Sequence, residues 1–160
     1  MIRSATLNDL LIIQHIAQET WPITYGNIIS KSQLDFMLQL MYSHASLKEQ
    51  MDKGHQFYLF ELVNKPIGFA SVSNEGEHIF KLNKLYILPT VQKSGAGGAL
   101  LEKVKAYAKA NGGKQLILQV NKHNNAKAFY EHKGFTIQQE MVFELEHGYV
   151  MDDYVMEIAL

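Results

Sequence analysis

The chain has 160 residues, 47% of them hydrophobic, with 15 basic and 16 acidic side chains and a net charge of −1. That length and composition suit a single globular domain over residues 1–160 with a core of its own. Cysteine is absent, which excludes disulfides, thiolate metal sites and a cysteine nucleophile.

The charge is unevenly placed. Residues 81–133 hold ten of the fifteen basic residues against two acids, Glu102 and Glu131, whereas residues 134–160 hold six acids and no Lys or Arg. A basic middle suits a polyanionic ligand, and an acidic end suits a cationic one. Net charge near zero, without basic residues interleaved with aromatics, argues against nucleic acid. The seven His show no ligand spacing, so no metal is expected. Residues 1–6 lack a secretory apolar stretch, and no apolar run nears the roughly 18 residues of a membrane span. The expectation is a cytoplasmic protein with no membrane partner.

Residues 2–5 read as a short strand. Thr6 caps a helix on which Leu7, Leu10, Leu11, Ile13 and Ile16 recur at helical spacing to about Thr20. Trp21-Pro22 is expected to break that helix and leave residues 20–25 irregular. Ser30 or Ser32 caps a second helix carrying Leu34, Met37, Leu38 and Met41, and Ser46 begins a third that ends near Gly54. Residues 57–63 and 67–73 are β-rich runs joined by a hairpin turn at Asn64-Lys65-Pro66, and residues 79–88 form another strand after a polar turn.

That strand ends at Pro89. After a polar loop, Gly95, Gly97 and Gly98 open a helix that runs to about Asn111 and stops at Gly112-Gly113. Helix starts carry unpaired N–H groups and the positive end of the helix dipole, so they bind phosphate. Three residues without side chains let an anion reach those amides. A strand over residues 115–120, a short helix over 125–132 stopped by Gly134, and strands over 135–146 and 150–158 complete the chain. The order implies an α/β fold, one mixed sheet with helices on both faces.

Two segments carry a family resemblance. Gln92-Lys93-Ser94-Gly95-Ala96-Gly97 is preceded by Leu85-Tyr86-Ile87-Leu88-Pro89 and followed by Ala99-Leu100-Leu101. About 30 residues on come Asn124 and then Ala126-Lys127-Ala128-Phe129-Tyr130-Glu131-His132-Lys133-Gly134-Phe135. In this order they resemble the two signatures of the GNAT family of acetyl-CoA-dependent N-acyltransferases, and the likeness runs over nearly the whole chain. Rival phosphate motifs fit worse: no Gly-Lys-Ser/Thr occurs for a P-loop, and a Rossmann fingerprint would sit near the first strand. The resemblance implies a central sheet of about seven strands flanked by helices on both faces.

It also implies acetyl-CoA as co-substrate. Amides of Lys93, Ser94, Gly95, Ala96, Gly97 and Gly98 would cradle the pyrophosphate, with Gln92 shaping the turn. Tyr86, Ile87 and Leu88 would pair their backbone with the pantetheine arm like an added strand. The Ile87 N–H would polarise the thioester carbonyl, and Tyr130 would protonate the departing thiolate, packing of the short helix being its alternative role. Asn124 would bind the pantetheine or cap that helix, with Asn121 and His123 competing for the position. Many members carry a basic Glu where this chain has Asn83, and others a carboxylate where it has Gln119. Candidate bases are therefore Glu75, Glu77 and His78.

For the acceptor, the family layout points to Trp21, Tyr25 and Asp152, with Tyr149 and Asp153 beside them. A small cationic amine or polyamine is the first expectation, and a protein N-terminus or lysine the second; residues 147–154 look similar to polyamine-acetyltransferase-like members. Small proteins of this kind often form dimers, so a homodimer belongs among the expectations. The reading from another class is a non-catalytic acyl-CoA-binding sensor or interaction module. Asn83 and Gln119 favour it, and Tyr130 opposes it.

Overall fold

A computed structural model describes residues 1–92 and 94–160. The strands are β1 (Ile2–Ser4), β2 (Gln56–Leu62), β3 (Lys65–Gly76), β4 (Ile79–Ile87), β5 (Gln115–Asn121), β6 (Thr136–Glu144) and β7 (Val150–Ala159). The helices are α1 (Leu10–Tyr25), α2 (Lys31–Tyr42), α3 (His44–Asp52), α4 (Ala96–Ala110) and α5 (Ala126–His132). All seven strands join one sheet in the order β1-β2-β3-β4-β5-β7-β6. Its one parallel pair is β4–β5, and β7 lies between β5 and β6.

Strand alternation divides the interior into two cores. On one face α4 and α5 cover Tyr58, Val72, Phe80, Leu82, Leu116 and Leu118 with Leu100, Leu101 and Val104. On the other, α1–α3 cover Phe57, Leu59 and Phe69 with Ile13, Ile16, Trp21, Met37 and Leu47. The mixed sheet with helices on both faces stands as expected from the sequence. No helix among the described residues is long and apolar enough to cross a membrane.

Local boundaries differ in three places. Helix α1 does not break at Trp21-Pro22 but continues through it to Tyr25. Pro22 and Gln18, whose carbonyl loses its helical N–H partner, both lie on the exposed face where water replaces the bond. On the opposite face Trp21 is buried against Tyr25, Tyr42 and Tyr86, which holds the last turn in place. Helix α3 starts at His44 rather than Ser46, because the Ser43 hydroxyl accepts from the Ser46 N–H; Ser30 does the same for α2 through Gln33. The β2–β3 hairpin turns on Val63 and Asn64, both at positive φ, so Lys65 and Pro66 already belong to β3.

One irregularity sets up the site. Lys84 pairs with Ser71 and Leu82 with Val72, so Asn83 is an extra residue in β4, a β-bulge. It flips the strand's alternation: Phe80 and Leu82 face α4, whereas Lys84 and Tyr86 face α1–α3.

Candidate active site

Strands β4 and β5 pair only from Ile79 to Leu82 and from Gln115 to Leu118. Beyond that they part, because β4 stays bonded to β3 while β5 follows β7. Between them opens a cavity of about 960 Å³, walled by Ile87 on β4, Gln119 on β5, Tyr25 on α1, Gly97 on α4 and Tyr130 on α5.

The β4 edge toward this cavity is unpaired backbone. The Leu88 N–H donates back to the Ile67 carbonyl at 2.8 Å. Successive N–H groups of an extended strand point to opposite edges, so the Ile87 N–H faces the cavity. The Ile87 carbonyl lies on the same edge and accepts from Gln92 Nε2 at 3.4 Å, which ties the loop to the strand. Gly68 on β3 leaves room for the Ile87 side chain: a β-carbon there would meet Ile87 Cδ1 at 2.4 Å and the Tyr86 carbonyl at 3.0 Å.

The second wall is the start of α4. Gly95 holds φ 84°, a left-handed conformation that sends the chain from the loop into the helix. The Ala99 N–H bonds to the Gly95 carbonyl at 3.1 Å, so amides at Gly97 and Gly98 precede the first helical bond. Ser94 Oγ accepts from the Ala96 N–H at 3.4 Å. Lys93 lies outside the described residues. Lys133, which the sequence reading did not single out, brings its Nζ to 3.2 Å from where a Gly98 β-carbon would stand. A cation thus sits over the same opening; its signal was its place immediately before Gly134.

Tyr130 is the buried residue of α5, 8% exposed, with its ring 5.3 Å from Phe129 and 5.6 Å from Phe135. Burial first, then charge on Tyr25, raises its hydroxyl well above the ordinary phenol range, so it is protonated at neutral pH. Asn124 lines the cavity and its Oδ1 accepts from the Ala126 N–H at 2.9 Å, while Asn121 Oδ1 holds the His123 N–H at 2.9 Å. Among the three rival residues, Asn124 and His123 reach the wall.

Across the cavity the Tyr25 and Tyr86 hydroxyls are 3.0 Å apart. Burial raises the Tyr25 hydroxyl above its usual range; the charge of Asp153 pushes the same way, against hydrogen bonding to Tyr86 and Asn124. Trp21, expected to touch the acceptor, is 2% exposed and packed behind Tyr25, off the cavity wall. Tyr149 packs on Phe36 of α2, with ring centres 5.5 Å apart. Asp152 also departs from expectation. It ion-pairs with Lys122 at 3.0 Å and shares its sheet face with Tyr154, away from α1. Its neighbour Asp153, paired with Asn121, takes the α1 face instead.

The candidate bases separate. Glu77 and His78 form the β3–β4 turn, with His78 Nδ1 3.0 Å from the Gly112 carbonyl, at the sheet end remote from the parting strands. Asn83 Nδ2 donates to Ser73 Oγ at 2.8 Å, and Ser73 Oγ donates to Glu75 at 3.1 Å. Lys84, turned inward by the bulge, donates to Gln50 at 2.8 Å and lies over the Tyr42 and Phe57 rings. Burial pushes its ammonium down to about 8. Among the described residues no group of His, Asp or Glu is gathered as metal ligands would be.

A parted β4–β5 pair, a glycine-rich helix start and a buried tyrosine thus border one cavity. The chain belongs to the GNAT acetyltransferase family, whose acetyltransferase (GNAT) domain matches residues 28–157, and it is accordingly an acyltransferase. It is 28% identical over 143 residues to an uncharacterized N-acetyltransferase of Mycobacterium bovis, covering 88% of this chain and 91% of that one. It is 25% identical over 146 residues to the spermidine N(1)-acetyltransferase of Thermoplasma acidophilum, covering 86% and 88%. A Bacillus subtilis protein, the uncharacterized N-acetyltransferase YhfO, is 44% identical over 68 residues, 42% of this chain and 44% of that one. The fold matches the crystal structure of a PaiA N-acetyltransferase from Thermoplasma acidophilum in complex with coenzyme A, with TM-score 0.85 and 22% identity over 100% of this chain and 98% of that one.

Proposed function

We propose that the protein transfers the acetyl group of acetyl-CoA to the primary amine of a small cationic acceptor, a polyamine first among them. The observation that carries this reading is the open β4 edge, with a free Ile87 N–H, running between the α4 start and the buried Tyr130 hydroxyl. A pantetheine arm adds to that edge as a strand, and its pyrophosphate meets the Gly97 and Gly98 amides beside Lys133. Both relatives that match more than four fifths of this chain are named N-acetyltransferases, and one is named for spermidine.

The reaction is direct attack in a ternary complex. The neutral amine adds to the thioester carbonyl while the Ile87 N–H stabilises the developing oxyanion. As the C–N bond completes and the C–S bond breaks, the sulfur leaves as a thiolate facing Tyr130. A phenol held above its ordinary range is a weaker acid than a thiol near 8.5. It therefore hydrogen-bonds the thiolate first and yields its proton as the amide nitrogen sheds one in exchange.

Thiol release from acetyl-CoA across spermidine, spermine, aminoglycosides, free amino acids and Lys or N-terminal peptides tests this, with acetyl-CoA binding measured in parallel. Fastest release with a polyamine is the expected result. Binding with no release for any amine would overturn it in favour of a non-catalytic acyl-CoA sensor.

A further inference from the structure

The usual carboxylate positions hold Asn83 and Gln119. Glu77 and His78 sit at the far turn, with Glu75 beside them at the end of β3 and bonded by Ser73. Yet an amine near pKa 10 must lose a proton before it attacks. One carboxylate on the acceptor side has no structural task. Asp153 is 1% exposed, and its Oδ1 is sealed from solvent without a hydrogen-bond partner. Asp9, the other buried acid, is held by both nitrogens of the Arg3 fork at 2.9 Å. A buried carboxylate oxygen with no protein partner costs stability unless water, a ligand or a reaction meets it.

Its placement fits that use. Register puts Asp153 opposite Asn121 and two pairs from Gln119–Val155, so Asp153 shares a sheet face with Gln119, which lines the cavity, and lies just behind that wall. That face looks toward Tyr25, whose hydroxyl feels the charge of Asp153. Helix α2 closes this end of the sheet, with Gln33 Nε2 donating to the Val150 carbonyl at 2.8 Å. We infer that Asp153 is the carboxylate that receives the acceptor's ammonium group and takes its proton, an inference that rests on the amine acetylation proposed above.

The step balances. The ammonium gives one proton to the Asp153 carboxylate and attacks as the neutral amine. The C–N bond forms and the C–S bond breaks. The nitrogen's second proton replaces the one Tyr130 gives to sulfur, and Asp153 returns its proton to solvent. Net, ammonium and thioester become amide, thiol and one released proton. The surroundings tune the group. Burial raises Asp153 to about 6, Asp152 on the same strand adds to that, and Lys81 on β4 opposes it. Tyr25 faces it from α1, and its cross-strand partners Asn121 and Met141 are uncharged. A carboxylate near 6 is a stronger base than one near 4 and still ionised at neutral pH.

The test is Asp153→Asn, assayed with acetyl-CoA and spermidine, or the fastest amine of the panel, from pH 5 to 9. Wild type should show an acid limb near pH 6 in kcat/KM. The variant should lose about 100-fold or more at pH 7 and lose that limb, with acetyl-CoA affinity unchanged. A variant that keeps the wild-type rate, or loses rate but keeps the limb, overturns the inference while leaving the acetyltransferase reading intact. Should the variant fail to fold or bind acetyl-CoA, the wild-type profile decides, and no limb between pH 5 and 7 overturns it. A wild type that binds acetyl-CoA and acetylates no amine overturns the function first and this inference with it.

Discussion

The two walls of the cavity are built from different materials. The wall proposed above for acetyl-CoA is backbone: the open edge of β4, the amides opening α4, and glycines that keep side chains away. The wall proposed above for the acceptor is side chain: Tyr25, Tyr86, Gln119 and Asn124, drawn from α1, β4, β5 and the loop after β5, with the buried Asp153 of β7 behind it. A backbone wall needs a few contiguous residues with defined conformations, and it suits any ligand with the same phosphorylated arm. A side-chain wall is assembled from distant segments, and under the proposed reaction it would set which amine is accepted.

Substitutions that act on one wall alone sharpen this contrast. The largest effect is expected from Tyr130→Phe, which removes the proton but not the ring: kcat should fall about 100- to 1000-fold with acetyl-CoA affinity unchanged by titration. Gly98→Glu attacks the backbone wall, placing a carboxylate at the helix start beside Lys133; acetyl-CoA affinity should weaken about 50-fold while apo stability changes little. Equal losses for every acceptor amine would mark this as a cofactor-wall effect.

Asp153 also leaves a signature in stability. Its folded pKa of about 6 lies above the unfolded 3.8, so the folded state binds more protons between those values. Its stabilising effect is thus full below pH 3.8 and lost as pH rises through about 6. Denaturation series from pH 4 to 7 should show wild type losing about 1–3 kcal/mol relative to Asp153→Asn. Parallel curves would place the Asp153 carboxylate in contact with water. Gly68→Ala pushes a methyl into Ile87 and should cost about 1–2 kcal/mol by thermal melting, with KM for acetyl-CoA raised several-fold. The smallest effect belongs to Asp152→Asn, which removes a surface ion pair with Lys122 and should change kcat/KM by less than about 2-fold. A large loss there would move the acceptor site to the other sheet face.

Legibility followed the same division. The glycine turn and the Ala126-to-Phe135 stretch were readable because adjacent residues carry them. The choice between Asp152 and Asp153 was not readable: strand alternation separates them, but register is fixed by β5, far away in sequence. The family layout points to Trp21 as pocket wall, and Pro22 reads as a helix break. The helix runs on because the proline falls on the solvent face, which depends on what Trp21 packs against. The bulge at Asn83, which turns Lys84 inward to Gln50, has no local signal in the sequence.

By itself, then, the sequence determined the element order, the mixed sheet with helices on both faces, and the glycine-rich helix start. Each depends on periodicity or on backbone conformations that particular residues permit. Tertiary structure alone decided which strands part to open the cavity, which of Asp152 and Asp153 is buried, and that Lys133 stands beside Gly98 and Gly68 beneath Ile87. Those outcomes depend on register, bulges and burial, which arise only when segments far apart in the chain are packed against one another.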